Sequence, residues 1–398
     1  MAGERRSASS YGVPPDTDPY NEDKTPLTKR NNAEDRLSAL PDVLSLLGTK
    51  DVVRTNVLSR RWRYLWTDLS EFNLRNYSKE IEKIRSFVDW VSLNLVIRSG
   101  IYLKKFKVNF DYKDCFASSV NLWVQFVIKY KVKDVSLHLY SSNYFFYKLP
   151  QLMYFNSSLT NLSLRNCIIA PPATMEWKSL TSLSIMQVEL SRDVMRTILS
   201  GCPVLEYLKL TKCWGSRIFD INIRSLREFV IEDWKDRSLE IFAPYIQLLS
   251  IACYSIEIQL PTFRLVDISS LVRANLVFSR YFCPTSEASH ENMMNYVRTL
   301  LGELKDVKEL VLGTWFIQVL SALKRKRWQL SQYSCKCLRL NSYRLEYSIP
   351  GILCMLESCP DLETLVVKGS DPPPYEVKFE QQKRKIELKR QLRIGSFK

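Results

Sequence analysis

The chain contains few residues whose types and spacing could support catalysis. Its two histidines are His138, inside the alternating stretch VSLHLY, and His290, which we expect in a loop. The sequence places neither beside a Ser or Cys that it could activate, so it predicts no nucleophilic site. With 11 Gly in the whole chain and neither a GxxxxGK nor a GxGxxG motif, it predicts no phosphate-binding loop. We therefore expect a protein that is not an enzyme and uses no cofactor.

The ten cysteines do not have the spacing of a metal site. Cys335 and Cys337 are two positions apart, Cys354 and Cys359 are five apart, and neither pair has a histidine nearby, so we predict no zinc site. The sequence shows no signal peptide and no run of about 18 apolar residues, so we expect no membrane partner. The thiols should then be reduced, in the cytoplasm and/or the nucleus.

The basic composition bears on the choice of partner rather than on the fold. Lys and Arg total 57 against 42 Asp and Glu, which gives a net charge of +15, but the basic residues are spread along the chain. The run Lys324–Trp328 fits a nuclear import signal or a nucleic-acid patch, but we favour a solvated helix end whose cations complement the helix dipole. The segment Pro372–Tyr375 fits the PPxY pattern of WW-domain ligands, with a proline-rich linker as the default interpretation.

A short apolar pattern recurs through the body of the chain. Its cleanest copies are LTNLSLRNC from Leu159 and LEYLKLTKC from Leu205. Weaker copies start at Leu103, Val132, Leu180, Leu226, Ile246, Phe263, Val307, Cys335 and Leu362. Most starts are 17 to 29 residues apart, with one wide gap after Phe263. This is the signature of leucine-rich repeats, which predicts an α/β fold in which short parallel strands stack and bury their alternate apolar residues.

The segments between these strands contain further predicted elements. We expect helices at Tyr77–Ile97, Arg192–Leu199, Met293–Leu304, Phe316–Leu323 and Ile352–Glu357. The wide gap, 270–306, is predicted to be an insertion or a decayed repeat, with a strand-like alternation at 271–278 and a loop at 283–287. Cys167 and Cys213 fall where such repeats turn the chain inward, so we expect buried structural thiols.

The segment 35–69 is apolar and rich in arginine. Between Asp51 and Trp66 its apolar residues are spaced three to five apart, which predicts one helix, and Leu40-Pro41-Asp42 predicts the start of a shorter one. These pieces, above all LSRRWRYLW ending at Trp66, resemble the F-box of plant F-box/leucine-rich-repeat proteins. The CPxLE steps at 202–206 and 359–363 are similar to that family, and 338–367 resembles its C-terminal FBD-type module.

This resemblance implies a non-catalytic substrate receptor of an SCF-type cullin–RING ubiquitin ligase. The F-box would bind a Skp-type adaptor, and through it the cullin, while the repeats form a horseshoe that holds an unknown protein target. The candidate adaptor-binding residues are Leu40, Pro41, Leu44, Leu47, Val53, Leu58, Trp62 and Trp66. The F-box is shortened by about two helical turns after Leu44. The alternative is a basic leucine-rich-repeat scaffold with a non-functional F-box remnant, which binds an acidic protein or, less in keeping with the dispersed charge, nucleic acid.

Four regions follow from these patterns. Residues 1–33 are predicted to be a disordered leader, and 34–75 a small all-α F-box-like unit. Residues 76–368 are predicted to form the repeat domain, whose FBD-like part begins at about 330. Residues 369–398 are expected to be a basic, mobile tail.

Overall fold

A parallel β-sheet organises the part of the chain that the computed structural model describes, which is residues 70–97, 103–141, 145–254, 262–278, 287–328, 330–342 and 345–369. In chain order the strands are β1 (Glu71–Arg75), β2 (Lys105–Asp111), β3 (Asp134–Tyr140), β4 (Tyr147–Lys148), β5 (Asn161–Arg165), β6 (Cys167–Ile168), β7 (Ser182–Met186), β8 (Tyr207–Thr211), β9 (Ile218–Asp220), β10 (Glu228–Glu232), β11 (Ser238–Phe242), β12 (Leu248–Cys253), β13 (Thr262–Asp267), β14 (Arg273–Phe278), β15 (Glu309–Leu312), β16 (Cys337–Ser342) and β17 (Thr364–Gly369).

The main sheet has twelve of these strands, all parallel and in chain order: β1, β2, β3, β5, β7, β8, β10, β12, β14, β15, β16 and β17. The other five form a small sheet in the order β13-β11-β9 and the pair β4-β6. The helices are α1 (Ile81–Ile97), α2 (Ala117–Lys129), α3 (Gln151–Tyr154), α4 (Arg192–Ser200), α5 (Glu287–Glu303), α6 (Thr314–Arg325) and α7 (Leu345–Ser358). Strand β1 lies within the predicted 34–75 unit, yet it is the edge strand of the main sheet.

The inner face of the main sheet is a continuous ladder of apolar side chains. Leu162 and Leu164 on β5 align with Leu183 and Ile185 on β7, and each of the four is at most 2% exposed. Burial of one such side chain stabilises the fold by roughly 1.5–3 kcal/mol. Because each repeat contributes only a few of these residues, the core closes only when neighbouring repeats stack. The predicted leucine-rich-repeat fold is confirmed.

The first two helices cover the N-terminal end of this apolar ladder with aromatic rings. Trp90 of α1 stacks on Phe72 of β1 with ring centres 6.3 Å apart, and Trp123 of α2 meets Phe110 of β2 edge-on. The sequence predicts that helix α1 begins at about Tyr77, but the helix begins at Ile81. The Asn76 side chain accepts the backbone N–H of the residue two positions on at 2.7 Å, and this local turn competes with the helix.

A left-handed residue ends four successive strands of the main sheet. These residues are Asn166, Gln187, Lys212 and Asp233, with φ between 49° and 57°. Each N–H donates to the end of the next strand, as Asn166 does to the carbonyl of Met186 at 3.1 Å. The conformation costs roughly 1–2 kcal/mol in a residue with a Cβ, and these hydrogen bonds offset part of it. The turn buries the residue that follows, so the inward placement predicted for Cys167 and Cys213 is confirmed.

The prediction that a main-sheet strand starts at Phe263 is wrong. Phe263 lies on β13, which pairs with β11 in the small sheet. The main-sheet strand of this repeat is β14, which follows Leu271. The region 270–306, predicted to be an insertion or a decayed repeat, therefore contains the strand and the helix of a full repeat. The cause of the error is that β13 and β14 both alternate apolar and polar residues with period two. The two strands differ only in the strand with which each can pair, and the sequence pattern does not show this.

Two helix predictions also need correction. The sequence places His290 in a loop, but it lies in α5, which begins at Glu287. Helix α7 begins at Leu345, well before the predicted start, and continues through Pro350 and Gly351, residues that sequence rules place outside helices. The N–H of Gly351 donates to Ser321 Oγ of α6 at 2.9 Å, so contact between the two helices overrides the local preference.

Candidate functional site

The solvent face of the main sheet, the side opposite the helices, is the surface on which polar residues of different repeats meet. Arg75, Asn109, His138 and Arg165 stand side by side on β1, β2, β3 and β5. They are about 30 residues apart in sequence, but parallel in-register strands bring them to adjacent positions about 5 Å apart. Residues at the same position of successive repeats thus lie next to one another on the sheet.

Four basic side chains at the N-terminal end of this face form what we call the basic cluster: Arg75, Lys107, His138 and Arg165. His138 Nε2 lies 2.8 Å from Ser163 Oγ. Burial lowers the pKa of His138 below its ordinary value of 6.5, and the positive charges of Arg165, Lys107 and Arg75 lower it further. The imidazole is therefore neutral at pH 7, and the cluster retains the three permanent cations.

Arg165 is held in place from two sides. Its guanidinium carbon lies 3.7 Å from the centre of the Tyr140 ring, and its Nε donates to Gln187 Oε1 at 2.7 Å. Burial lowers the pKa of Arg165, while Tyr140 acts in the opposite direction and no carboxylate among the described residues contributes. A half-buried guanidinium is thus oriented by its neighbours without the charge partner that buried cations usually have.

Other cations of the solvent face, and Lys107 of the basic cluster, pair with carboxylates of adjacent strands. The pairs are Glu71–Lys105 at 2.6 Å, Asp134–Lys107 at 3.1 Å, Glu232–Lys209 at 2.7 Å and Glu309–Arg273 at 2.5 Å. Because all are partly exposed, each contributes at most about 1 kcal/mol to stability. Their effect is to give this part of the face a mixed rather than a uniformly basic charge.

Two clefts flank the basic cluster. The first, which we call the Arg165 cleft, has a volume of about 330 Å³ and lies between the loop Asn76–Lys79 and the ends of β2, β3 and β5. The second has a volume of about 810 Å³ and runs along β1 and α1, where Leu74 and Trp90 contribute apolar surface. The second cleft lies at the C-terminal end of β1, beside the loop that leads into α1.

The acidic, histidine and cysteine side chains of the described residues form no metal site, since no group of three of them could hold a metal ion. Burial raises the pKa of both Cys167 and Cys213 to about 12, so these thiols are protonated at neutral pH. Among the helices that the structure describes, none combines the length and the apolar character needed to cross a membrane.

All eight candidate adaptor-binding residues lie outside the described residues: Leu40, Pro41, Leu44, Leu47, Val53, Leu58, Trp62 and Trp66. The PPxY segment at 372–375 also lies outside them. The run Lys324–Trp328 can be placed. Lys324 is in the last turn of α6 and pairs with Glu357 of α7, and Arg298 lies 4.6 Å from the ring centre of Trp328. The interpretation of this run as a helix end is confirmed.

Sequence reasoning missed the basic cluster and the Arg165 cleft. A usable signal was present, because Arg75, His138 and Arg165 each directly follow the second inward-facing apolar residue of their strand. Comparing that one position across the repeats would have shown a basic column at the N-terminal end. Tyr140 and Gln187 carry no such signal, since their contacts with Arg165 depend on the turns at the strand ends.

Stacked parallel strands with a leucine ladder on one face and polar residues on the other define a leucine-rich-repeat protein. A family model described as the LRR domain of At1g61320/AtMIF1 matches residues 95–394. The F-box/LRR-repeat protein At3g03360 of Arabidopsis thaliana is 29% identical over 363 residues, which are 86% of this chain and 73% of that protein. The F-box protein At5g03100 of the same plant is 32% identical over 301 residues, 72% of this chain and 91% of that protein. The chain belongs to the F-box/LRR-repeat family, as the resemblance of its motifs indicated.

Proposed function

We propose that this chain is the non-catalytic substrate-receptor subunit of an SCF-type cullin–RING ubiquitin ligase, acting in the cytoplasm and/or the nucleus. Residues 35–69 bind a Skp-type adaptor, which connects the chain to the cullin, and the solvent face of the main sheet binds a target protein. Two findings support this proposal. Relatives across most of the chain are F-box proteins, and the LSRRWRYLW segment lies immediately before β1.

The observation that carries the proposal is the position of β1. This strand follows the F-box-like segment directly and is also the edge of the main sheet. The basic cluster therefore starts on the strand that is next in sequence to the adaptor-binding segment, with Arg75 as its first member. The proposed adaptor-binding segment and the first strand of the proposed target-binding surface are therefore adjacent in sequence.

The charge pattern of the solvent face favours a protein target. Nucleic-acid binding needs cations that are free to neutralise successive phosphates. Here Lys105, Lys107, Lys209 and Arg273 already pair with carboxylates of adjacent strands. A surface of mixed charge, on which many cations are already paired, fits a polar protein segment better than a polyphosphate backbone.

Titration of the purified full chain with a Skp-type adaptor tests the proposal. The native chain is compared with a Trp62→Ala/Trp66→Ala double variant and with a chain that carries two helical turns inserted after Leu44. We expect the native chain to bind, the insertion to strengthen binding and the tryptophan variant to bind at least tenfold more weakly. If neither the native chain nor the extended chain binds the adaptor, the ligase assignment is wrong.

The rival function is that of a basic scaffold with an F-box remnant, and the net charge of +15 is the observation that favours it. Such a scaffold would bind an acidic protein or nucleic acid without any adaptor. For nucleic acid, affinity for a duplex should fall steeply between 50 mM and 200 mM salt, by about 10³-fold or more if six or more phosphates are contacted. Affinity that does not change with salt would remove nucleic acid as the partner.

A further inference from the structure

Arg165 is oriented for an acidic ligand that the described residues do not supply. The Tyr140 ring packs against its guanidinium at 3.7 Å, and the hydrogen bond to Gln187 fixes the Nε edge. Within the described residues no carboxylate lies within 4.0 Å of the Arg165 side chain, whereas Lys107 on the adjacent row has Asp134 at 3.1 Å. An arginine stacked and fixed in this way loses little further freedom when its remaining N–H groups bind an acceptor.

The Arg165 cleft provides room for such a ligand beside the guanidinium. Its volume of about 330 Å³ lies at the lower end of the range for small-ligand sites and is large enough for one acidic side chain with its backbone. Polar groups converge on it from both sides, namely Lys79 and Asn76 from the loop after β1 and Gln187 from the turn after β7. The exposed ring of Tyr77 forms part of the outer wall.

The local charges favour a single negative charge over a double one. Arg75, Lys107 and Arg165 together create the positive potential that acts on His138, and Lys107 is already neutralised by Asp134. Asp111 also lines the Arg165 cleft and would repel a dianion more strongly than a monoanion. A carboxylate matches the planar fork of a guanidinium in geometry as well as in charge.

We propose that the Arg165 cleft binds a glutamate or aspartate side chain from an acidic, extended segment of the target protein. This proposal rests on the proposed function, because it names the class of segment that the receptor would recognise. The segment lies across the solvent face with its carboxylate on Arg165, while Lys79 and Arg75 attract neighbouring acidic residues. It requires no adaptor, so it can be tested on the chain alone.

The test uses three capped heptapeptides titrated against the purified full chain by isothermal calorimetry at low salt. One has three consecutive glutamates at its centre, the second has glutamines in their place, and the third has phosphoserine in place of the central glutamate. We expect the glutamate peptide to bind at least tenfold more tightly than the glutamine peptide and at least as tightly as the phosphoserine peptide. Equal binding of the glutamate and glutamine peptides, or no binding of either, overturns the proposal. Markedly tighter binding of the phosphoserine peptide overturns the assignment to a carboxylate.

Variants locate the binding to Arg165. Arg165→Gln should weaken binding of the glutamate peptide at least tenfold, and Arg165→Lys, which keeps the charge but not the planar fork, should also weaken it. Arg273→Gln is the matched control, because Arg273 lies on the same face but is paired with Glu309. Circular dichroism establishes that each variant is folded. An unchanged affinity in folded Arg165→Gln overturns the site, whereas failure of the ligase proposal would appear instead as loss of adaptor binding with peptide binding intact.

Discussion

The Arg165 guanidinium lies 3.7 Å from the centre of the Tyr140 ring, and the two residues belong to the neighbouring strands β3 and β5. They are 25 positions apart in sequence and belong to two different repeats. The contact exists because both side chains are on the solvent face near the ends of their strands. It links the repeat architecture to the proposed recognition of an acidic segment.

Removing the Tyr140 ring should loosen Arg165 without disturbing the core. We expect Tyr140→Leu to weaken binding of the glutamate peptide about three- to tenfold, since a cation–π contact stabilises its pair by about 0.5–2 kcal/mol. Tyr140→Phe keeps the ring but removes the hydroxyl, which also interacts with Arg165, so it should weaken binding less than Tyr140→Leu does. Calorimetry with the same peptide measures both. The interpretation fails if the leucine variant binds like the native chain.

Two glycines in helices give opposite predictions for the same substitution. A Cβ at Gly351 would lie 2.2 Å from the carbonyl oxygen of Ile317, so Gly351→Ala should lower the free energy of unfolding by about 1–3 kcal/mol. A Cβ at Gly302 in α5 would meet no atom within 4 Å. There the gain in helix propensity should raise the free energy of unfolding by up to about 1 kcal/mol. Urea denaturation measures both variants, and destabilisation by Gly302→Ala would contradict the open space beside Gly302.

The neutral state of His138 predicts a pH dependence of stability. Because its folded pKa is lowered below 6.5, the unfolded chain binds more protons than the folded chain between these two values. The contribution of His138 to the free energy of unfolding is therefore fully present above about pH 6.5. It is lost as the pH falls through the pKa of His138 in the folded chain. His138→Gln should flatten this part of the profile. Urea denaturation from pH 5 to 8 tests it, and an identical slope in the variant would exclude His138 as the cause.

Buried and exposed thiols should differ sharply in reactivity. Burial raises the pKa of Cys167 and Cys213 to about 12, so at pH 8 the reactive thiolate is nearly absent. Cys115 is exposed. We expect iodoacetamide to alkylate Cys115 in the native chain while Cys167 and Cys213 react only after denaturation in urea. Peptide mass spectrometry separates the three sites, and rapid native alkylation of Cys213 would contradict its placement.

The spacing of apolar residues predicted most of the main sheet but not its accessory strands. Around Leu205 the pattern gave β8 and the inward direction of Leu208 and Leu210, because period-two alternation with one buried face leaves one solution. Strands β9, β11 and β13 show the same alternation, so the sequence alone could not assign β13 to the small sheet. In the same way, the sequence predicts a helix that begins only at Ile352, whereas contact with α6 maintains a helix that continues through Pro350 and Gly351.

The proposed site was harder to predict than the fold for a physical reason. Arg165, Tyr140 and Gln187 come from three repeats whose lengths differ, so their proximity depends on strand register and on the left-handed turn at Gln187 itself. Apolar periodicity does not encode these features. The sequence indicated which residues face the solvent, and the structure was needed to show which of them meet.

Hydrogen–deuterium exchange of the full chain with and without a saturating Skp-type adaptor tests the central claim most directly. In the proposed function, residues 35–69 bind the adaptor and the solvent face binds the target. We predict slower exchange in peptides from 35–69 when the adaptor is added, with unchanged exchange in peptides that contain β5, β7 and β8. Protection confined to the main sheet, or no change anywhere in the chain, would contradict the account.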